Sequence, residues 1–396
     1  MLTTIDTIRE RVADALNQGQ LQQALTLQAT LCDLCPEDAE AHHRLGVLEE
    51  EAGTLLGATR AHLRCLTLAP TVPKGYLYAG YCLQRLGHID AAAALYSLGA
   101  DLDEGVLTLW RSEQHSAPAR QRSAAANDTL RSHLSALHRD AVGAAATCRR
   151  VYEAIWTRTH DQAYQFSCDE QRPQLFYLPS LSARPFEDPR HWEWALQLQR
   201  ASATIAQELR NALPRIRNEG RPYLPSGTQA GSAFTELVGS LNWTALDLFI
   251  DGHANTALTP FFPETLAALA QAPLYGLEER PFEVFFSLLR PGQHIKPHYG
   301  LSNHSLTVHL PLVIPKESWL RVGGEKRRWK QGELTVFDDT FLHEACNESE
   351  DERIVLIFSI WHPELSEAER DAIRRSFRAR QRWLAMRRLP NADDLR

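Results

Sequence analysis

The sequence predicts a multidomain α + β chain, with a helical repeat array first and an antiparallel β-sandwich or barrel after it. Three observations carry this. Small residues recur at a fixed interval through the first hundred positions. Prolines and aromatics become dense at FYLPSLSARPFEDPRHWEW (176–194). Beyond that point come short apolar runs separated by turn signals. The 396 residues suffice for two or three domains. With 44% hydrophobic and 23% charged residues, wholesale disorder, collagen and coiled-coil rods are excluded. The net charge of -7 offers no basic field for nucleic acid. No apolar run reaches the roughly 18 residues that a transmembrane helix needs. The opening MLTTIDTIRERVADAL carries Asp6 and Glu10 and reads as an amphipathic helix rather than a signal peptide. Seven cysteines, an odd count over a long chain, suit reduced thiols and a cytoplasmic setting.

The repeat is arithmetic. Gly19, Gly53 and Gly87 are 34 apart, and Ala24, Ala58 and Ala92 keep the same step. So do Gly46 and Gly80, and Pro36 and Pro70. A period of 34 with small residues where two helices pack closely, and proline after the second helix, resembles tetratricopeptide repeats. Three units are expected over 5–35, 39–69 and 73–103, within a repeat domain of residues 1–103. Such stacks form a concave groove suited to peptide or protein, although the helices could instead cap or dimerise the downstream domain. Cys32 and Cys35 form a CxxC without a second ligand pair or a preceding strand, so they read as buried helix residues.

Residues 104–173 are expected to be a helical spacer. The stretch 112–126 reads as a polar linker, and Asn127 or Asp128 as the cap of a long helix through Leu130, Leu134, Leu137, Val142 and Val151. A third region, 174–372, starts with a helix over about 190–212 that Pro214 should end. Its apolar runs are LVGSLNWTALDLFI, FEVFFSLL, HSLTVHLPLVI, WLRVGG, RRWKQGELTVFDD and RIVLIFSIW. Short strands at this spacing predict an antiparallel sandwich or barrel. Ser366 and Glu369 form a capping box opening a final helix, whose arginines (Arg370, Arg374, Arg375, Arg378) read as a solvated face. Residues 373–396 are this helix and a tail.

Six of the 16 histidines lie between 294 and 362, and two sit where strand ends can converge. His298 stands at the start of the strand-like run ending in HLPLVIP, and His343 follows a second strand in ELTVFDDTFLHEA. Imidazoles paired there bind divalent iron, copper or zinc. Arg353 stands alone in DERIVLIFSIW, and a lone cation entering a buried strand needs a counter-charge. That charge is either a ligand carboxylate held bidentately or Asp338 or Asp339.

Residues 281–364 resemble the aspartyl/asparaginyl β-hydroxylase family of Fe(II)- and 2-oxoglutarate-dependent oxygenases. The carrying motifs are SLLRPGQHIKPHYG (287–300), HLPLVIPKE (309–317), W-x-x-G-E (329–333), FDDTFLHEA (337–345), Arg353 and WHPEL (361–365). LPSLSARPFED (178–188), Asn242-Trp243 and Phe261–Pro263 extend the likeness to roughly 174–372. The resemblance implies a double-stranded β-helix, or jelly-roll, dioxygenase domain. It implies that His298 and His343 bind iron, with Gly300 at the position where most relatives of that fold place a carboxylate ligand. It also implies that Arg353 grips the distal carboxylate of 2-oxoglutarate, with Ser287 and His309 as further contacts. The expected reaction consumes O2 and 2-oxoglutarate, releases succinate and CO2, and hydroxylates a side chain of a peptide or protein, plausibly at the β-carbon of Asp or Asn. Thr307 departs from the pattern, standing where animal members carry an arginine. The rival expectations are hydroxylation of lipid A or another small molecule, and an inactive repeat scaffold.

Overall fold

The computed structural model describes residues 4–143, 148–228 and 234–391. The chain divides into two compact units. One comprises Met1–Leu137, Thr159–Asp161 and Ala379–Arg396, and the other His138–Arg158 and Gln162–Arg378.

The first unit starts with six helices: α1 Thr4–Asn17, α2 Leu21–Leu34, α3 Ala39–Glu51, α4 Leu55–Leu68, α5 Pro73–Arg85 and α6 Ile89–Leu102. The second helix of each pair begins at 21, 55 and 89, the 34-residue step of the sequence. Two separate demands explain the recurrent glycines. Gly19, Gly53 and Gly87 follow α1, α3 and α5 with φ of 70°, 82° and 87°, a conformation other residues resist. The next residue's N–H then returns to the helix's last turn, as in Gln20 to the Ala15 carbonyl at 2.8 Å, which caps it. Gly46 and Gly80 answer a packing demand, since a Cβ there would overlap the rings of His62 and Tyr96. Leu66, Leu77, Leu83, Leu95 and Tyr96 form the core between these helices. A long helix, α7 (Ala117–Val142), follows. It starts ten residues before the expected Asn127 cap because Ser116 offers its hydroxyl to the Ala119 N–H at 3.4 Å and the alanines and arginines after it favour helix.

In the second unit, Leu198, Ile205 and Leu209 bury one stripe of α9 (Glu193–Ile216), which follows the short α8 (Arg149–Tyr152). The helix carries Pro214 in its last turn rather than ending before it, where a missing N–H costs one bond. A short α10 (Pro263–Leu269) lies beside α9. The strands are β1 Ile155–Trp156, β2 Phe176–Tyr177, β3 Phe186–Glu187, β4 Arg221–Pro222, β5 Trp243–Ile250, β6 His253–Ala254 and β7 Val284–Leu289. They continue as β8 His294–His298, β9 Ser305–Val313, β10 Ser318–Val322, β11 Glu325–Arg328, β12 Thr335–Phe337, β13 His343–Asn347 and β14 Arg353–Trp361. Among the described residues β1 and β2 pair alone, and the others form two antiparallel sheets. The larger runs β3-β12-β9-β14-β7-β5-β4 with β6 on β5, and the smaller β11-β10-β13-β8.

β14 reads as one continuous buried run because both its faces are covered. Ile354, Leu356, Phe358 and Ile360 pack toward α9 and α10, while Val355 and Ile357 join Ala245 and Phe285 on the opposite face. Leu320, Val322, Ala345 and Ile295 of the small sheet meet Leu289, Trp243 and Phe337 of the large one. Two sheets sharing this filling make a double-stranded β-helix. The capping box at Ser366 opens α11 (Glu367–Met386), with the Ser366 hydroxyl 2.8 Å from Glu369. Its arginines are not merely solvated. Arg374 donates to the Gly276 carbonyl, Arg375 to those of Ala141 and Val142, and Arg378 to that of Leu277. Among the described residues no helix is long and apolar enough to cross a membrane. All seven cysteines are unbridged.

Candidate active site

β8 and β13 pair so that His298 lies directly opposite His343. Their rings are 4.0 Å apart between centroids. The residues around each histidine fix which nitrogen is free. Nδ1 of His298 lies 2.8 Å from the Lys296 carbonyl, and Nδ1 of His343 lies 3.0 Å from that of Phe341. A carbonyl accepts only, so each Nδ1 carries the proton and each Nε2 keeps a lone pair. Burial holds His298 down to about 3, with His343 adding to the effect. Burial likewise holds His343 down to about 4. Both imidazoles are therefore neutral near pH 7, the form that ligates a metal.

Arg353 begins β14 and is 1% exposed. One of its terminal nitrogens donates to the Ser287 hydroxyl at 2.9 Å, and the Trp243 indole N–H donates to the same oxygen at 3.1 Å. The guanidinium lies 5.0 Å from the Trp329 ring centre, and its Nε has no partner. Burial pulls its pKa down to about 9. Among the described residues no carboxylate pairs with it. Asp338 is engaged by Gln171 at 2.5 Å and by Thr340, while Asp339 accepts from the Thr307 hydroxyl at 3.1 Å. A buried guanidinium without a counter-ion costs several kcal/mol, so this arrangement suits an anionic ligand. His309, 6% exposed, packs on Phe337 and Trp329, and its Nδ1 is likewise unpartnered. Burial, then the nearby Arg353 charge, holds it well below the usual imidazole range.

The structure thus gathers His298 and His343 of the small sheet with Ser287, His309 and Arg353 of the large one. It adds residues the sequence did not single out for this purpose. Trp243 and Trp329 frame Arg353; the first stands within an apolar run and the second in the W-x-x-G-E motif, so indoles were the available signal. Asp339 was read only as a counter-charge for Arg353. Its carboxylate instead fills the space beside Gly300 where a side chain would start, and its backbone carbonyl accepts from the Gly300 N–H at 2.7 Å. Burial raises its pKa to about 6. Two neutral imidazoles with free Nε2 atoms and a buried unpaired arginine fit a divalent transition metal that carries an anionic co-ligand.

Comparison with known proteins agrees with this arrangement. An Aspartyl/asparaginyl beta-hydroxylase of Mus musculus is 24% identical over 361 residues, 90% of this chain and 44% of that protein. Aspartate beta-hydroxylase domain-containing protein 2 of Xenopus tropicalis is 31% identical over 208 residues, 51% of this chain and 54% of its own length. An ornithine lipid ester-linked acyl 2-hydroxylase of Rhizobium tropici is 27% identical over 182 residues, covering 45% of this chain and 61% of that protein. The chain spans about half the length of the curated relatives it matches. Residues 199–363, which hold every strand from β4 to β14, match the family described as Aspartyl/Asparaginyl beta-hydroxylase.

Proposed function

We propose that the chain is an Fe(II)- and 2-oxoglutarate-dependent hydroxylase acting on a side chain of a peptide or protein, at the β-carbon of an aspartyl or asparaginyl residue as its relatives' names suggest. The observation that supports this most is the in-register pair His298 and His343 together with a buried, uncompensated Arg353 on the facing sheet. Nε2 of each histidine would hold the iron, and Arg353 the distal carboxylate of 2-oxoglutarate. When bound, iron and cosubstrate supply oxygen activation coupled to release of CO2 and succinate. The chain's own residues do the positioning. The Lys296 and Phe341 carbonyls keep both imidazoles in the ligating tautomer. Ser287, itself held by Trp243, aims the guanidinium. Trp329, Phe337 and Leu289 surround this end with apolar surface and exclude water. Asp339, held by Thr307, fills the space beside Gly300.

We assign the helical repeats of residues 1–103, read as tetratricopeptide-like, to holding the protein substrate, and place the chain in the cytoplasm, which suits its unbridged thiols. The Rhizobium tropici relative's name favours a second reading, an acyl chain of a lipid as the oxidised group. Anaerobic loading with Fe(II) and 2-oxoglutarate, followed by oxygen, should yield succinate. Mass spectrometry of lysate peptides and lipids then shows which class gains one oxygen atom. Absence of succinate from the wild type, or equal succinate from His343→Ala, would sink the proposal.

A further inference from the structure

The helical repeats hold a second set of metal-ligating groups, apart from the histidine pair. Glu50 lies in the last turn of α3, His62 within α4 and Cys82 within α5. One ligand atom from each lies within 4.8 Å of the other two. All three side chains are buried. Glu50 Oε1 faces His62 Nε2 at 3.3 Å. That is about the N···O separation across a tetrahedrally bound ion with bonds of about 2.0–2.2 Å. Arg122 of α7 donates to the other carboxylate oxygen at 2.7 Å, which orients Glu50 and leaves Oε1 to the imidazole.

The next repeat shows what the fold itself requires here. One step of 34 residues on, Gln84 and Tyr96 occupy the places of Glu50 and His62, and the Tyr96 hydroxyl donates to the Gln84 side-chain oxygen at 2.8 Å. Gly80 makes room for the Tyr96 ring as Gly46 does for that of His62. A neutral hydrogen bond therefore satisfies this position. The preceding repeat instead carries a carboxylate and an imidazole, and Cys82 faces them from the place where that repeat has Leu48. Protein groups also leave this set incomplete. His62 Nδ1 is buried without a partner, the kind of orphan that calls for a water or an ion. Against the cost of burial, His62 and Arg122 hold Glu50 below the ordinary carboxylate range, so it is ionised near pH 7. Burial, then the Glu50 charge, pushes the Cys82 thiol up, so it stays protonated until an ion displaces the proton. Thiolate with imidazole selects a softer ion than Fe(II), Zn(II) above all.

We propose that Glu50, His62 and Cys82 form a binding site for a thiophilic divalent cation of the Zn(II) class, which ties α3, α4 and α5 together and takes water as its fourth ligand. Binding breaks the Cys82 S–H bond, forms a metal–sulfur bond and releases one proton to solvent, with no change of oxidation state. The site stands independently of the hydroxylase reading. Co(II) tests it on the full chain after removal of bound metal with a chelator. A thiolate on Co(II) gives an intense near-ultraviolet charge-transfer band, which a site built from histidines alone lacks. The wild type should develop this band, and added Zn(II) should displace it. Cys82→Ser should abolish the band, while His343→Ala should keep it. Glu50→Gln combined with His62→Tyr installs the pair already present at 84 and 96. That variant should keep wild-type helicity by circular dichroism and lose about tenfold or more of the Co(II) affinity read from the band, about 1.4 kcal/mol. It also serves should Cys82→Ser unfold. No band in the wild type, a band that survives Cys82→Ser, its loss in His343→Ala, or unchanged affinity in the double variant would overturn the site.

Discussion

The carboxylate of Asp339 stands where a side chain at Gly300 would have to begin. An added methyl at 300 overlaps that carboxylate, so Gly300→Ala must displace Asp339 and break its bond from Thr307. The expected cost is about 1–3 kcal/mol, the range for overpacking, with a matching loss of hydroxylation. Urea midpoints at unchanged slope measure it. Adding Asp339→Gly to Gly300→Ala should relieve part of the cost, giving a coupling outside the few tenths of a kcal/mol expected of independent sites. Simple additivity would show that the two positions do not compete for space.

Iron should stabilise the chain only through the histidine pair. Fe(II) added anaerobically at about 100 times its dissociation constant should raise wild-type stability by about 2.7 kcal/mol. His298→Ala and His343→Ala should each lose most of that increment, because each Nε2 is one of the two imidazole donors. Thermal unfolding with and without iron reads the difference, and an undiminished increment in both variants would assign the metal elsewhere.

Arg353→Lys keeps a positive charge but loses the planar fork and the donor to Ser287. Apparent 2-oxoglutarate affinity should fall by about 1.5–3 kcal/mol, the worth of a hydrogen bond to a charged group. Iron affinity should change little. Titration of 2-oxoglutarate against succinate formation separates the two, and an unchanged half-saturation would argue against this arginine as the cosubstrate's grip.

His304 gives the protein an acid-sensitive element outside the His298–His343 pair. It is 1% exposed, is caged by Phe176, Tyr275, Trp361 and Phe377, and neither ring nitrogen has a partner. Burial, then His362, holds it down to about 3, against an ordinary value near 6.5. The unfolded chain therefore binds this proton first as pH falls. Its contribution is complete above about pH 6.5 and is lost at about 1.4 kcal/mol per pH unit as pH drops toward 3. His304→Phe should flatten the stability profile by that slope below about pH 6.5. An identical slope in the variant would place the acid sensitivity in other groups.

Local physics was legible in the sequence. The 34-residue step survives as helix starts at 21, 55 and 89 because each repeat needs a positive-φ residue after its first helix and a small residue where helices touch. The long runs of β5, β7, β9 and β14 announced themselves because their burial patterns extend over six to nine residues. The two strands that carry the histidines did not. β8 is five residues with a proline, tolerable because it is an edge strand that need not donate at every position, and β13 is equally short.

The sequence by itself determined which chemical groups were available: imidazoles at 298 and 343, a lone arginine at 353, acids at 338 and 339, and no side chain at 300. It left their pairing open, since either aspartate could have neutralised Arg353. Only the tertiary structure decided that Asp338 turns to Gln171 and Thr340, that Asp339 fills the space beside Gly300, and that Arg353 is buried with Ser287 and two indoles. The reason is that antiparallel pairing joins residues 45 positions apart, as His298 and His343 are. Which partner each group meets then follows from strand register and from the fate of neighbouring charges, neither of which any local stretch of sequence contains.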